Sequence, residues 1–124
     1  MMAINGGRST ALSHFFKALI MSKRMLKYKS ELKLLATCLP STARLLFNRA
    51  PKDFIRAIVD VTWTSLSGKI NFTPDQLKQV RSVQSALRRI ASRGQTLDER
   101  RRILTTSSGT KAIQKLMSIV QVHF

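Results

Sequence analysis

The segment from residue 73 to residue 104 constrains the fold most, because two helix starts can be read in it directly. Thr73 is typical of a helix N-terminus, since its side chain can accept a hydrogen bond from a free backbone N–H of the first turn. A proline follows it, and proline suits the first helical position because an N–H there would have no partner in the helix. A second helix is predicted to begin at Thr96, which stands at capping-box spacing from Glu99. The segment therefore predicts two consecutive helices joined by a tight turn.

One side of this helical pair is apolar and the other is basic. Its apolar residues recur at steps of three and four, which predicts a buried stripe made of Leu77, Val80, Val83, Leu87 and Ile90. Gly94 is expected to end the first helix. The opposite side holds eight of the chain's 22 Lys and Arg residues, namely Lys78, Arg81, Arg88, Arg89, Arg93, Arg100, Arg101 and Arg102. The pair is therefore predicted to anchor itself in the core and to present cations to solvent.

The charge of the whole chain indicates what those cations contact. With 22 Lys and Arg residues against six Asp and Glu residues, the net charge is +16, so most cations have no internal partner and repel one another. A polyanion relieves this repulsion, and Arg, which outnumbers Lys, presents a planar fork that matches two phosphate oxygens. We therefore predict that the eight basic residues contact nucleic-acid phosphate, with double-stranded DNA as the expected partner. Asn and Gln are few on this side, and Tyr28 and Trp63 form no interleaved aromatic series, so binding should tolerate many sequences.

The rest of the chain predicts an all-α fold, a compact bundle of five to six helices built around one apolar helix. That helix is bracketed by Pro51 and Gly68 and should be the most buried, because apolar side chains surround most of it: Phe54, Ile55, Ile58, Val59, Val61, Trp63 and Leu66. The basic pair that follows resembles a helix-turn-helix. The succession of medium, long and short helices from Pro51 to Leu104 also allows a histone-like arrangement.

Two helices are predicted before the apolar one. The first spans about Lys23 to Cys38, and Pro40 stops it. Ser41 should then cap a short helix that continues through Arg49.

The C-terminal part predicts a loop at residues 105–109 and a final amphipathic helix from about Thr110. The apolar side of this helix consists of Ile113, Leu116, Met117 and Val120, and Lys111 and Lys115 lie on its other side. Its apolar last turns are expected to dock in the core or in a partner subunit. Residues 23–124 are thus predicted to form a single helical domain.

Residues 1–22 are predicted to be a separate N-terminal segment, either basic and amphipathic or partly disordered. An apolar stripe runs through it beside basic residues and consists of Leu12, Phe15, Phe16, Leu19 and Ile20. Three interpretations stay open: the segment packs on the rest of the fold, it is an organelle-targeting presequence of the mitochondrial kind, or it lies on a membrane surface.

The sequence contains no residue set with the spacing of a catalytic or metal site, so neither enzyme activity nor a cofactor is expected. The two histidines lie near opposite ends of the chain, and the single cysteine, Cys38, sits in an apolar run and is interpreted as a small core residue. Asp53 and Asp60 could share a helix face, but Arg56 between them predicts a solvated ion-pair strip. With one cysteine and no apolar run long enough to span a bilayer, an intracellular location in the nucleus or in a virion is expected.

The connector between the apolar helix and the basic helix has a recognisable pattern. It reads Leu66-Ser67-Gly68-Lys69-Ile70-Asn71-Phe72-Thr73 and is followed by the basic helix, the Arg triplet and Ser107-Ser108-Gly109. Across residues 49–109 this order resembles small basic proteins encoded by Polinton (Maverick) elements and related adenovirus-like DNA viruses of animals, in which a Gly-Gly pair often follows the triplet. The resemblance implies a capsid-associated or genome-packaging role.

The leading hypothesis is a non-enzymatic, sequence-tolerant DNA-binding or condensing protein that is associated with a virion or with genome packaging. A second copy of the chain or a capsid protein is a further expected partner. The alternative is a membrane-active or protein-interaction module, in which the apolar stripes at residues 12–20 and 113–120 engage lipid or a partner helix.

Overall fold

The computed structural model describes residues 22–121 as eight α-helices, and no strand occurs within that range. In chain order the helices are α1 (Lys23–Lys27), α2 (Lys29–Leu35), α3 (Pro40–Arg49), α4 (Lys52–Leu66), α5 (Pro74–Ser82), α6 (Gln84–Ala91), α7 (Leu97–Thr105) and α8 (Ser107–Val120). The predicted all-α class is confirmed, although eight helices exceed the five to six expected. The predictions made for the N-terminal stripe at residues 12–20 lie outside the described residues.

Two of the expected helices are each interrupted at a single residue. The first is broken at Tyr28 (φ −104°, ψ 21°), and the basic helix is broken at Val83 (φ −117°, ψ 12°). At the second break the Ser82 hydroxyl donates to the Gln79 carbonyl at 2.6 Å, while the Val83 N–H donates to the Val80 carbonyl at 3.1 Å. A serine side chain that competes for backbone carbonyls in this way bends a helix. The single basic helix expected from the sequence is therefore a kinked pair, α5 and α6.

The apolar helix α4 is central, as predicted, and packs against α1, α6, α7 and α8. Its buried positions are Phe54, Ile55, Ala57, Ile58, Val61, Thr62 and Ser65. The two buried hydroxyls, of Thr62 and Ser65, each donate at 2.8 Å to the carbonyl one turn earlier, so their burial leaves no polar group unpaired. Trp63 was expected among the surrounding apolar residues but is 52% exposed.

One ion pair ties α1 to α4. The Arg24 guanidinium donates to the Asp60 carboxylate at 3.1 and 3.3 Å, and the Ser22 hydroxyl donates to the same carboxylate at 2.6 Å. The hydrogen bond with Asp60, and then its charge, raise the pKa of Arg24. Of the ion-pair strip expected on α4, the structure therefore keeps the exposed Asp53–Arg56 contact at 4.0 Å, whereas Asp60 serves the contact between helices.

The start of α3 lies two residues before the predicted one. Pro40 is the first residue of the helix and Leu39 occupies the cap position without a side-chain hydrogen bond. Proline suits this position because a first-turn N–H has no partner inside the helix. The prediction that Ser41 caps α3 is therefore wrong.

Both predicted N-caps of the basic pair are confirmed. Thr73 Oγ1 accepts from the Gln76 N–H at 3.2 Å and Gln76 Oε1 accepts from the Thr73 N–H at 3.0 Å, and Thr96 and Glu99 make the same reciprocal contacts at 3.1 and 2.7 Å. The Thr96 backbone N–H donates to the Glu99 carboxylate, and this hydrogen bond lowers the pKa of Glu99. Gly94, with φ 83°, turns the chain between α6 and α7 in a conformation that favours glycine.

The last helix begins inside the loop expected at residues 105–109. Thr106 Oγ1 accepts from the Gly109 N–H at 3.0 Å, and this cap starts α8 at Ser107. Gly109 is buried, and a Cβ atom at this position would collide with the Ile103 carbonyl. The close turn from α7 into α8 therefore depends on a residue that has no side chain.

Gly109→Ala should lower the free energy of unfolding, although alanine is the better helix former by about 1 kcal/mol. The added methyl group must displace the Ile103 carbonyl, and such overpacking costs about 1–3 kcal/mol. We expect a net loss of up to about 2 kcal/mol, measured by urea denaturation. Ser108→Ala is the control, because Ser108 is exposed and its replacement should change stability by less than about 0.5 kcal/mol. A more stable Gly109→Ala protein would contradict the close packing of α7 and α8.

Candidate nucleic-acid interface

Helix α6 packs on both α4 and α8, and this position turns its basic side outward. Leu87 and Ile90 are completely buried, whereas Arg88 and Arg89 are exposed. The two arginines are consecutive and lie roughly 100° apart around the helix axis. Arg88 therefore lines a groove on the side of α4, and Arg89 lines a groove on the side of α8.

The first groove, of about 440 Å³, lies between α4 and α6. It brings Arg88 and Arg93 beside the exposed indole of Trp63, and Leu66, Ala91 and Ser92 complete its lining. The Arg93 guanidinium carbon lies 5.9 Å from the centroid of the Trp63 ring. This distance is at the outer limit of a cation–π contact, so the guanidinium is only weakly held there.

The second groove, of about 450 Å³, lies between α6 and α8. Its cations are Arg89, Lys111 and Lys115, and the hydroxyls of Ser82, Ser85 and Ser108 lie among them. The Lys115 ammonium donates to the Ser82 hydroxyl at 3.3 Å. The groove thus combines three positive charges with several neutral hydrogen-bond donors.

The third groove, of about 560 Å³, lies on the other side of α8, next to α5 and the start of α3. Arg44, Lys111 and Lys115 line the third groove, and the two lysines also line the second groove. The Gln114 amide holds α8 in place here, since its nitrogen donates to the Cys38 carbonyl at 2.8 Å. Cys38 itself is half-buried and packs against the core.

The second and third grooves share two lysines, and the first lies on the other side of α6 from the second. Together we call the three grooves the basic face and define it by Arg44, Arg88, Arg89, Arg93, Lys111 and Lys115. Helix α6 separates the first groove from the second, and α8 separates the second from the third. No Asp or Glu lines any of the three. Within residues 22–121 the ion pairs are Arg24–Asp60 and Arg56–Asp53, so the charge of the basic face is not compensated by that part of the chain.

The structure brings three of the eight predicted phosphate contacts together on the basic face: Arg88, Arg89 and Arg93. Lys78 and Arg81 are exposed on α5 and lie outside the three grooves, and Arg102 is exposed on α7. The apolar side of the pair is buried only in part, since Val80, Leu87 and Ile90 are buried while Leu77 is 37% exposed.

The other two predicted contacts, Arg100 and Arg101, donate to backbone carbonyls. Arg101 reaches the C-terminal end of α3, where its two terminal nitrogens donate to the carbonyls of Phe47 and Ala50 at 2.7 and 2.8 Å. Arg100 donates to the Ser92 carbonyl at 2.9 Å, next to the turn between α6 and α7. Arg101 therefore stabilises the fold as a C-terminal cap of α3, and we leave it out of the basic face.

A smaller groove of about 260 Å³ collects cations at the opposite end of α4 from Trp63. Lys52, Arg56 and Arg100 line it together with Gln95. Arg56 also makes the exposed contact with Asp53, so this cluster is partly compensated. The positive charge of the described residues is thus not confined to the basic face.

Three residues of the basic face, Arg44, Lys111 and Lys115, were not predicted as contacts from the sequence. A local signal for two of them exists, because Lys111 and Lys115 stand four apart on the polar side of a helix. Nothing in the sequence indicates that α8 packs beside α6, and that packing is what brings these lysines next to Arg89.

Among the described residues, no group of three or more His, Cys, Asp or Glu side chains could hold a metal ion. Within the same range, no helix has both the length and the apolar content needed to cross a bilayer.

Comparisons of the chain with protein-family models, with curated proteins and with solved structures gave no match. Function is therefore inferred from the chemistry and geometry of the residues themselves.

Arg101→Met should destabilise the fold without weakening contact with a polyanion. The substitution removes both donors from the carbonyls at the end of α3, and a hydrogen bond from a charged group contributes about 1.5–3 kcal/mol. Because two such bonds are lost, we expect a loss of at least about 2 kcal/mol in urea denaturation, against less than about 0.5 kcal/mol for Arg102→Met, whose side chain is exposed. The salt dependence of DNA binding by the folded Arg101→Met protein should equal that of the parent. Unchanged stability with a reduced salt dependence would instead make Arg101 a phosphate contact.

Proposed function

We propose that this protein is a non-enzymatic, sequence-tolerant DNA-binding or condensing protein and that the basic face contacts DNA phosphates. The observation that carries the proposal is the set of three neighbouring grooves lined by six cations and by no carboxylate. Bringing like charges together opposes folding, so a surface of this kind is stabilised when a polyanion neutralises it.

A nucleic-acid backbone suits the basic face better than a small anion does. The six cations are spread over grooves on both sides of α6 and α8, so a ligand must carry many charges to reach them all. Duplex DNA carries one negative charge per roughly 1.7 Å of helix axis and releases bound counterions when cations replace them. The hydroxyls of Ser85 and Ser108 in the second groove can donate to further phosphate oxygens, whereas the Ser82 hydroxyl already donates to the Gln79 carbonyl.

The lining of the basic face favours binding that tolerates many sequences. Side-chain amides are the groups that read adenine edges most directly, and the grooves contain only Gln79 and Gln114. The Gln114 amide nitrogen is already used by the Leu35 and Cys38 carbonyls at 3.1 and 2.8 Å. The remaining donors are Arg, Lys, Ser and Thr side chains, which are the groups that commonly bind phosphate oxygens. The resemblance across residues 49–109 supports packaging of a viral or mobile-element genome as the setting.

The salt dependence of duplex binding tests the proposal. A first variant lacks four cations of the basic face and combines Arg88→Gln, Arg89→Gln, Lys111→Gln and Lys115→Gln. Its slope of log K against log [salt] should be smaller by about 0.9 for each lost contact, or about 3–4 in total. Affinity should fall to a similar extent for duplexes of unrelated sequence. Fluorescence anisotropy of labelled duplexes at several salt concentrations measures both quantities.

The matched control removes four exposed cations that lie outside the grooves, with the replacements Lys23→Gln, Lys27→Gln, Lys33→Gln and Lys69→Gln. This variant has the same net charge as the first, so a general loss of attraction would affect both alike. We expect its slope to change by less than about 1. Equal slopes for the two variants would remove the basic face from the proposal, and absence of duplex binding by the parent protein would overturn the function itself.

A protein-interaction function is the second candidate, and exposed leucines on α1 to α3 favour it. Leu26, Leu34, Leu39 and Leu45 are between 48% and 69% exposed, although α2 and α3 otherwise bury apolar side chains in the core. Four large apolar side chains in water on consecutive helices leave apolar area that a partner could cover. Of the two apolar stripes in this alternative, the one at residues 113–120 is buried in the core, where Ile113, Leu116, Met117 and Val120 are completely buried. The stripe at residues 12–20 lies outside the described residues.

Self-association without nucleic acid would reveal the interaction surface. If the leucines meet a second copy, Leu39→Ser together with Leu45→Ser should shift a concentration-dependent oligomer to monomer, because polar side chains remove the apolar area that the contact buries. Sedimentation equilibrium measures this change. A protein that is monomeric at all concentrations tested would exclude the homo-oligomer.

A further inference from the structure

The only tryptophan of the chain lies in the first groove of the basic face. Trp63 is 52% exposed, in contrast to the apolar residues around it on α4, of which Phe54, Ile58 and Val61 are at most 2% exposed. An indole that is half in water leaves apolar area uncovered and gains little from the core. Its place on the molecule therefore indicates a role outside the packing of α4.

The groups beside the indole indicate the chemistry of what covers it. Arg88 and Arg93 line the same groove, and no carboxylate does. If an apolar segment of another protein covered the indole, the two arginines would lose contact with water and gain no anionic partner. Removing unpaired charges from water costs free energy. A flat aromatic group attached to phosphates would instead cover the ring and neutralise both arginines.

We propose that Trp63 stacks on a single unpaired base of bound DNA, while Arg88 and Arg93 hold the phosphates on either side of that base. The proposal rests on the nucleic-acid-binding function above and deepens it by naming a structural feature of the ligand. Arg93 lies 5.9 Å from the ring centroid, where a cation–π contact is weak, so it can move from the ring to a phosphate when a base arrives.

The rest of the basic face indicates why one base is bound rather than a continuous single strand. Proteins that follow a single strand stack successive bases on several aromatic side chains. The second and third grooves contain no aromatic residue. Their cations suit a paired backbone, so the ligand is a duplex with one unpaired nucleotide, as at a bulge, a gap or a frayed end.

Fluorescence of Trp63 tests the inference without any label. The probe is a DNA hairpin with one bulged adenine, and the comparison hairpin carries an abasic site at the same bulge, so the two differ in a base and not in charge. The bulged adenine should quench the fluorescence, because stacking brings the base onto the indole, and it should raise the affinity by about tenfold over the abasic hairpin. Trp63→Ala should abolish this preference and keep the affinity for the abasic hairpin. Trp63→Phe should retain part of the preference, since phenylalanine also stacks.

Leu26→Ala is the matched control, because Leu26 is 50% exposed on α1 and lies outside the grooves, and it should leave the preference unchanged. Equal affinity of the parent protein for the two hairpins, with equal quenching, would overturn the inference and leave the proposed function standing. Failure to bind either hairpin would overturn both. A fully paired hairpin bound as tightly as the bulged one would also overturn the inference.

Discussion

Burial of the apolar helix α4 among α1, α6, α7 and α8 is the interaction on which the rest of the structure depends. Each large apolar side chain removed from water contributes about 1.5–3 kcal/mol, and α4 supplies a continuous set of them. Because α6 packs on this helix and on α8 with Leu87 and Ile90 buried, its exposed positions, which include Arg88 and Arg89, face solvent. The place of the basic face is thus set by hydrophobic contact, while the charges themselves oppose compaction.

The basic residues divide into two kinds according to what their donors meet. Arg101 donates to two carbonyls at the end of α3, and Arg24 donates to Asp60, so these guanidinium groups join parts of the fold. The cations of the basic face have no carboxylate partner within the described residues, where the hydrogen bond that one of them makes runs from the Lys115 ammonium to the Ser82 hydroxyl. A count of positive charges does not separate the two kinds, because arginine can satisfy a buried carbonyl as readily as a phosphate.

The helix caps predicted at Thr73 and Thr96 are confirmed, whereas the one predicted at Ser41 is wrong. The caps at Thr73 and Thr96 form as expected, because each needs only a hydroxyl and a backbone N–H three residues later. The kink at Val83 was missed, since it depends on whether the Ser82 hydroxyl points to solvent or to a carbonyl. Ser107 to Gly109 reads as a loop by composition, yet it forms the first turn of α8, because Thr106 caps it and the carbonyl of Ile103 lies against Gly109.

The sequence by itself determined the all-α class, the central apolar helix and the excess of positive charge, because periodicity and composition are properties of the chain order. Which cations share a surface was decided only by the tertiary structure. Arg44 and Arg89 are far apart in sequence but lie in adjoining grooves, since α3, α5, α6 and α8 meet there, whereas Arg101, next to Arg102 in the chain, turns inward. The physical reason is that packing of apolar faces fixes the rotation of each helix about its axis, and that rotation decides where each charged side chain points.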